Sequence, residues 1–247
     1  MQYQVFAETK INSNAFGVPN EDGITLYYSL INEGEVRLIN HYYESDQGQA
    51  KYPEDFWSGY TATTIKIPKS INYQGKEYKV TSIGGCAFGK SQNLESIVIP
   101  EGIDKIGDGA FWGCSKLKTI SFPSTVTYLG VGAFYDCKAI ETIVSHITRV
   151  FTFKLKWTTN RPTFEQIVYD NAILYVPNGT AVKYRLIDGW NNFLWIEEGD
   201  PTNIKNVTKK NMERSRYTIS GQKVIAPMSN INIIKMSDGS TKKVLVK

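Results

Sequence analysis

Three cysteines and two histidines are the most chemically capable residues of this 247-residue chain: Cys86, Cys114, Cys137, His41 and His146. A thiolate beside an imidazole could attack a carbonyl, and a Cys/His set at short spacing could hold zinc. Neither pattern is met. No histidine sits at ligand spacing to a cysteine, and neither is matched with a Ser or Cys nucleophile. The acid pair Glu197-Glu198 lies in a polar stretch without a partner set. The glycines at 84–85, 107–109 and 130–132 open no helix, so they do not form a phosphate cradle. Three cysteines make no disulfide framework. Cys114 and Cys137 hold equivalent positions of a repeat, close enough in principle for a bridge. Equivalent side chains point the same way, which suits a ladder of buried free thiols better. The chain therefore reads as no enzyme, with no cofactor and no metal.

The remaining candidates are for binding. Phe56, Phe88, Phe111 and Phe134 are each followed by a residue of one slot: Trp57, Gly89, Trp112 and Tyr135. An exposed row of such rings takes sugar rings or protein partners by flat apolar contact. The alternative is that these rings lean on the outside of a coil and cover core. Tyr42, Tyr43 and Tyr60 extend the patch. A second strip consists of Thr64/Lys66, Ser96/Val98, Thr119/Ser121 and Thr142/Val144, small and nearly uncharged. It could accept a protein surface or an added strand, or be a plain soluble sheet face. Ser82, Lys105 and Tyr128 share the outward slot of a second row.

What positions these residues is a repeat. Ile83-Gly-Gly-Cys-Ala-Phe88 is answered by Ile106-Gly-Asp-Gly-Ala-Phe111 and by Leu129-Gly-Val-Gly-Ala-Phe134, a constant step of 23 residues. Leu94, Leu117 and Ile140 share one position, and Ile97, Ile120 and Ile143 another. A fixed period of this size predicts a solenoid, in which a single coil cannot bury its apolar face and must stack on neighbours. The motif Leu-x-x-Ile-x-Ile-Pro alternates as a strand does and stops at proline. Strands of successive coils should lie parallel, about 4.8 Å apart. Phe88, Phe111 and Phe134 should form one stacked spine.

The same residues resemble the BspA-like (Treponema-type) leucine-rich repeat of bacterial surface proteins, over Val80–Val144. The resemblance implies a mainly β fold: a short leucine-rich-repeat solenoid of parallel stacked strands, capped at both ends. It also implies an exported protein at the cell surface or outside the cell. Met1-Gln-Tyr-Gln-Val lacks the features of a signal peptide, so the expectation is that a leader has been removed. Departures from the pattern are Ser91 in place of Cys114 and Cys137, and Cys86 in place of Gly109 and Gly132. Ser145-His146 replaces the Ile-Pro ending, which predicts that the array stops there.

The solenoid is expected over residues 1–198. An N-terminal hairpin cap covers about 21–55, with strands Gly23–Leu30 and Glu35–Tyr42. Coils occupy about 56–147, beginning with a degenerate repeat at Ile65-Lys-Ile-Pro68 and a hairpin inserted at Asn72–Lys76. A C-terminal cap covers about 148–198, with a strand-like Arg149–Lys156, a strand Ala172–Pro177, a short helix Thr180–Ile187 and an apolar closure Gly189–Ile196. Leu174–Ile196 resembles the terminal cap of the same family, with two tryptophans and a phenylalanine as its lid. A polar boundary at Glu197–Asn203 precedes a small β module, 204–247. That tail resembles C-terminal modules of Bacteroides-type exported proteins, some of which serve as secretion or anchoring signals.

Charge is uneven. From Lys205 onward ten Lys/Arg face Glu213 and Asp238, a net of +8; the preceding part, with 18 basic and 22 acidic residues, carries −4. A basic tail could touch an anionic polysaccharide, lipid or acidic partner, or simply keep the module soluble. No nucleic-acid module and no membrane-length apolar run is present. The chain reads as an exported binding or adhesion protein that uses an extended surface on a protein or glycan ligand. The alternative is a non-catalytic structural or assembly component of a surface complex.

Overall fold

The computed structural model describes residues 15–40, 59–153 and 162–200 in full, and the backbone of residues 213–218, 223–224, 230–236 and 241–246. His41, Tyr42, Tyr43, Phe56 and Trp57 lie outside the described residues. The described residues open with an antiparallel meander, β1 (Ala15–Pro19), β2 (Thr25–Leu30) and β3 (Glu35–Ile39). Leu26, Tyr28, Val36 and Leu38 alternate inward and are fully buried. After β4 (Thr64–Lys66), the hairpin β5 (Ser70–Tyr73) and β6 (Lys76–Ile83) turns through Gln74 and Gly75. Both turn residues have positive φ. Positive φ at both positions is the type I′ geometry, whose twist matches that of the flanking strands.

The coils follow as β7 (Ser96–Val98), β8 (Lys105–Ile106), β9 (Thr119–Phe122), β10 (Tyr128–Leu129) and β11 (Thr142–Ser145). Then come α1 (Gln166–Asn171), β12 (Ile173–Val176), α2 (Ala181–Leu186), a 3-10 turn at Trp190–Asn192 and β13 (Trp195–Glu198). Further on, β14 (Glu213–Thr218), β15 (Lys223–Val224), β16 (Asn230–Met236) and β17 (Thr241–Val246) form an antiparallel sheet in the order β15-β14-β16-β17.

Two sheets clothe the solenoid. One is six-stranded and parallel throughout, in the order β13-β12-β11-β9-β7-β4. Its register aligns Ile65, Ile97, Ile120, Ile143, Leu174 and Ile196 in a single buried column. The other runs β1-β2-β3-β6-β8-β10, with β5 also on β6, and aligns Leu38, Ile83, Ile106 and Leu129. The N-terminal meander thus joins the coils by prolonging a sheet.

The phenylalanine spine forms as the repeat predicts. Phe88–Phe111 and Phe111–Phe134 stack with ring centroids 5.0 Å apart and interplanar angles of 7° and 3°. It is also longer than expected. Phe164 stacks on Phe134 at 5.0 Å and 3°, and Tyr60 tilts onto Phe88 at 5.4 Å. The array therefore does not end at Ser145-His146. β12 and β13 continue the parallel ladder for two more strands because Leu174 and Ile196 keep the inward position.

Two further expectations are revised. Residues 149–153 form no strand. Phe151 and Phe153 pack edge-on against Trp190 at 6.1 and 4.9 Å, and the Trp190 Nε1–H donates to the Phe151 carbonyl at 2.9 Å, so aromatic contacts replace a ladder. The lid is also split. Trp190 and Phe193 belong to the main core, whereas Trp195 lies on the opposite side of the sheet, in a separate cluster.

Candidate binding surface

The corner of each coil is built by residues with no room to vary. A Cβ on Gly107 would stand 2.6 Å from the Gly85 nitrogen and 2.7 Å from the Gly84 carbonyl carbon, and one on Gly130 would strike the backbone of Gly107 and Asp108. Coils approach this closely because the spine N–H groups bond across layers. Phe88 N–H donates to the Ala110 carbonyl and Phe111 N–H to that of Ala133, both at 2.7 Å, and Phe134 N–H to that of Thr163 at 3.0 Å. The next-but-one position is left-handed in three successive coils: Cys86 (φ 54°), Gly109 (60°) and Gly132 (61°). Cys86 therefore adopts a conformation that favours glycine.

All three cysteines are free thiols. Cys114 Sγ donates to the Phe88 carbonyl at 3.2 Å and Cys137 Sγ to the Phe111 carbonyl at 2.9 Å, each reaching the spine residue one coil back. Ser91 fills the same slot and accepts from the Tyr60 N–H at 3.0 Å. Burial pushes the Cys137 thiol well above its ordinary value, so it stays protonated and is no nucleophile. Among the described residues no group of three or more His, Cys, Asp or Glu gathers to hold a metal ion. An open depression of about 550 Å³ beside β5 and β6 mixes Lys69, Lys79, Glu77 and Glu101 with Ser70, whose hydroxyl donates to Glu77 at 2.7 Å.

The corner presents the expected aromatic slot. Gly89 is buried; Trp112 and Tyr135 are half-buried on adjacent coils. Gly113 N–H donates to the Tyr135 carbonyl at 2.9 Å and Lys90 N–H to the Trp112 carbonyl at 2.6 Å, which fixes the backbone of this row. The Lys90 ammonium lies 5.1 Å from the centroid of the Trp112 ring. That is a cation–π distance. Tyr60 stands apart from the row, on the end of the spine, where burial pushes its hydroxyl pKa upward.

The second strip is a sheet face. Register pairs Thr64, Ser96, Thr119 and Thr142 in one line, and Lys66, Val98, Ser121 and Val144 in another. Lys66 is ion-paired to Glu21 at 2.8 Å and to Asp22 at 3.7 Å, tying the meander to this face. Sequence reasoning placed these lines but not their continuation. The same lines run on through Ile173 and Trp195, and through Tyr175 and Glu197. The signal available was the Ile173-Leu-Tyr-Val-Pro177 run, apolar on both faces, which ends at proline as the coil strands do.

Residues 53–154 match the family model for the BspA type leucine rich repeat region, in six copies. No curated protein matches the sequence. Among solved structures, the chain is similar to a leucine-rich repeat protein from Bacteroides capillosus ATCC 29799 (20% identity, TM-score 0.46, covering 67% of this chain and 99% of that one). It is similar to another from Bacteroides ovatus ATCC 8483 (19%, TM-score 0.43, covering 70% and 39%) and to the pneumococcal vaccine antigen PcpA (17%, TM-score 0.37, covering 72% and 47%). It thus spans less than half the length of the latter two. The constant repeat step, the parallel ladder, the stacked phenylalanines and the six matched copies agree: residues 53–154 of this chain are a BspA-type leucine-rich-repeat array.

Proposed function

We propose that this protein is an exported cell-surface binding protein that engages a protein or glycan ligand through the length of its solenoid. The observation that carries the reading is the alignment of outward positions over successive coils, with Thr64, Ser96, Thr119 and Thr142 in one line. They make an extended surface where an enzyme would need a cleft. The corner row of Trp112 and Tyr135, beside Lys90, is the candidate contact, with Trp57 as its neighbour in the sequence slot. Aromatic and cationic groups together suit the apolar face of a sugar or an aromatic-rich protein patch.

The test is binding of the purified protein to arrays of host matrix proteins and glycans, followed by Trp112→Ala and Tyr135→Ala. A tenfold loss of affinity with an unchanged melting temperature supports the corner row. Binding to nothing on either array removes the adhesive reading.

A second reading rests on the net +8 beyond Lys205: the protein is an assembly component held in a surface complex by its basic segment. Replacing Lys209, Lys210, Lys242 and Lys243 with glutamate then abolishes retention at the cell surface and leaves ligand binding intact.

A further inference from the structure

The outer face of the six-stranded sheet changes character along the solenoid. At its N-terminal end Thr64, Lys66 and Thr119 are exposed, and Val98 is 64% exposed. In the middle Thr142 and Val144 are half-buried. On β12 and β13 the same register lines carry Ile173, Tyr175 and Trp195, which are 6%, 4% and 7% exposed. These three form a cluster apart from the main core, and among the described residues the hydrophobic side chain packed against it is Leu194. The Trp195 indole N–H donates to the Asp170 carbonyl at 3.0 Å, which holds the ring across this face. An apolar sheet face is stable only against a second layer.

The chain beyond β13 brings a layer of its own. β14 to β17 make one four-stranded antiparallel sheet. Such a sheet also needs one face covered. By register Tyr217, Ile231, Ile233 and Leu245 share one side of its ladders with Lys223, Lys235 and Lys243, so that side is both apolar and basic. The segment 199–212 separates β13 from β14. Extended, a segment of this length reaches on the order of 45 Å, ample to return over β12 and β13. Charge favours the same pairing. The segment from Lys205 carries +8, the rest −4, and Glu197 stands next to Tyr175 in the register and is exposed.

We propose that residues 204–247 dock on the outward face of β12 and β13 as a second layer, with Ile173, Tyr175 and Trp195 as the apolar seat and Glu197 meeting the basic strands. The C-terminal third of the outer face is then closed by the chain itself. The strip from β4 to β11 stays open for a ligand. The docking holds whichever ligand the solenoid takes.

The test uses the full chain. Hydroxyl-radical footprinting should leave Tyr175 and Trp195 at least tenfold slower to label than the exposed Tyr128. A zero-length carboxyl–amine cross-linker should join Glu197 to a lysine beyond Lys205 within the monomer. Ile173→Asp, on the outward face, should raise the rate of proteolysis between residues 199 and 212 at least tenfold and cut amide protection in β16 and β17, while protection in β7, β9 and β11 is unchanged. The proposal is overturned if Tyr175 and Trp195 label as fast as Tyr128. It is equally overturned if the cross-link forms only between two copies, or if β16 and β17 keep their protection in the variant.

Discussion

Phe111→Ala is the sharpest test of the coil stack. Phe111 is fully buried and sandwiched between Phe88 and Phe134, both 5.0 Å away and nearly parallel to it. Truncating a buried phenylalanine costs about 3–5 kcal/mol. Two ring contacts of roughly 0.5–1.5 kcal/mol each are lost with it, which places this site at the upper end, near about 5 kcal/mol. A typical domain has only about 5–15 kcal/mol in all. In a solenoid the loss also falls on the coupling between neighbours, so coils on either side should unfold less cooperatively. Tyr60 is the control, half-buried and with one spine neighbour. Its change to alanine should cost about 2 kcal/mol. Urea unfolding followed by circular dichroism reads both. Phe111→Ala should lower the midpoint far more than Tyr60→Ala and broaden the transition. A cost below about 1.5 kcal/mol, or one no larger than that of Tyr60→Ala, refutes the claim that the spine holds the coils together.

Other perturbations probe the corners and the cap. Gly107→Ala forces a methyl into the Gly84–Gly85 backbone. It should cost about 2–3 kcal/mol in the same denaturation assay. Gly34 has open space around it. Gly34→Ala should therefore leave the urea midpoint almost unmoved. Cys86 holds a left-handed backbone. Cys86→Gly should stabilise by about 0.5–1 kcal/mol, because relief of that backbone exceeds the added chain entropy; a lowered urea midpoint would contradict this. Alkaline pH should destabilise the packing around Tyr184 of α2. The Tyr184 hydroxyl donates to the Ile147 carbonyl at 2.8 Å, lies 2.6 Å from Ser145 Oγ, and burial pushes its pKa up to about 12. The folded state holds this proton more tightly, so its stabilisation is complete below about pH 10 and lost on rising from 10 to about 12. The loss amounts to about 3 kcal/mol in all. Unfolding midpoints across that range, with tyrosinate absorbance as the second signal, should show the slope in the parent and a shallower one in Tyr184→Phe.

The repeat made most of the solenoid legible from sequence, since equal spacing forces Ile97, Ile120 and Ile143 into one column. The ends were harder to read for a physical reason. Phe164 follows Phe134 by a step longer than the repeat, so its place in the stack is hidden from a fixed period and shows only in space. Tyr60 enters the column from a degenerate coil with a different ring. Trp195 and Trp190 look alike in sequence, yet β13 directs one outward while the 3-10 turn sends the other into the core. Patterning fixes which side of a strand a residue takes once the strand is known, and β13 was not anticipated as a strand. The candidate corner row was legible as a slot, but its half-burial and the ammonium over Trp112 depend on a neighbouring coil.

The constant step between coils has an evolutionary corollary. The N-terminal meander prolongs one sheet and β12–β13 the other, so each junction involves only the coil next to it. Duplication of one unit in the middle would add a layer 5.0 Å thick, the ring spacing of the stack. It would lengthen the outer face without redesigning either end. Reach along a ligand thus becomes a quantity set by copy number, open to change by recombination between near-identical units.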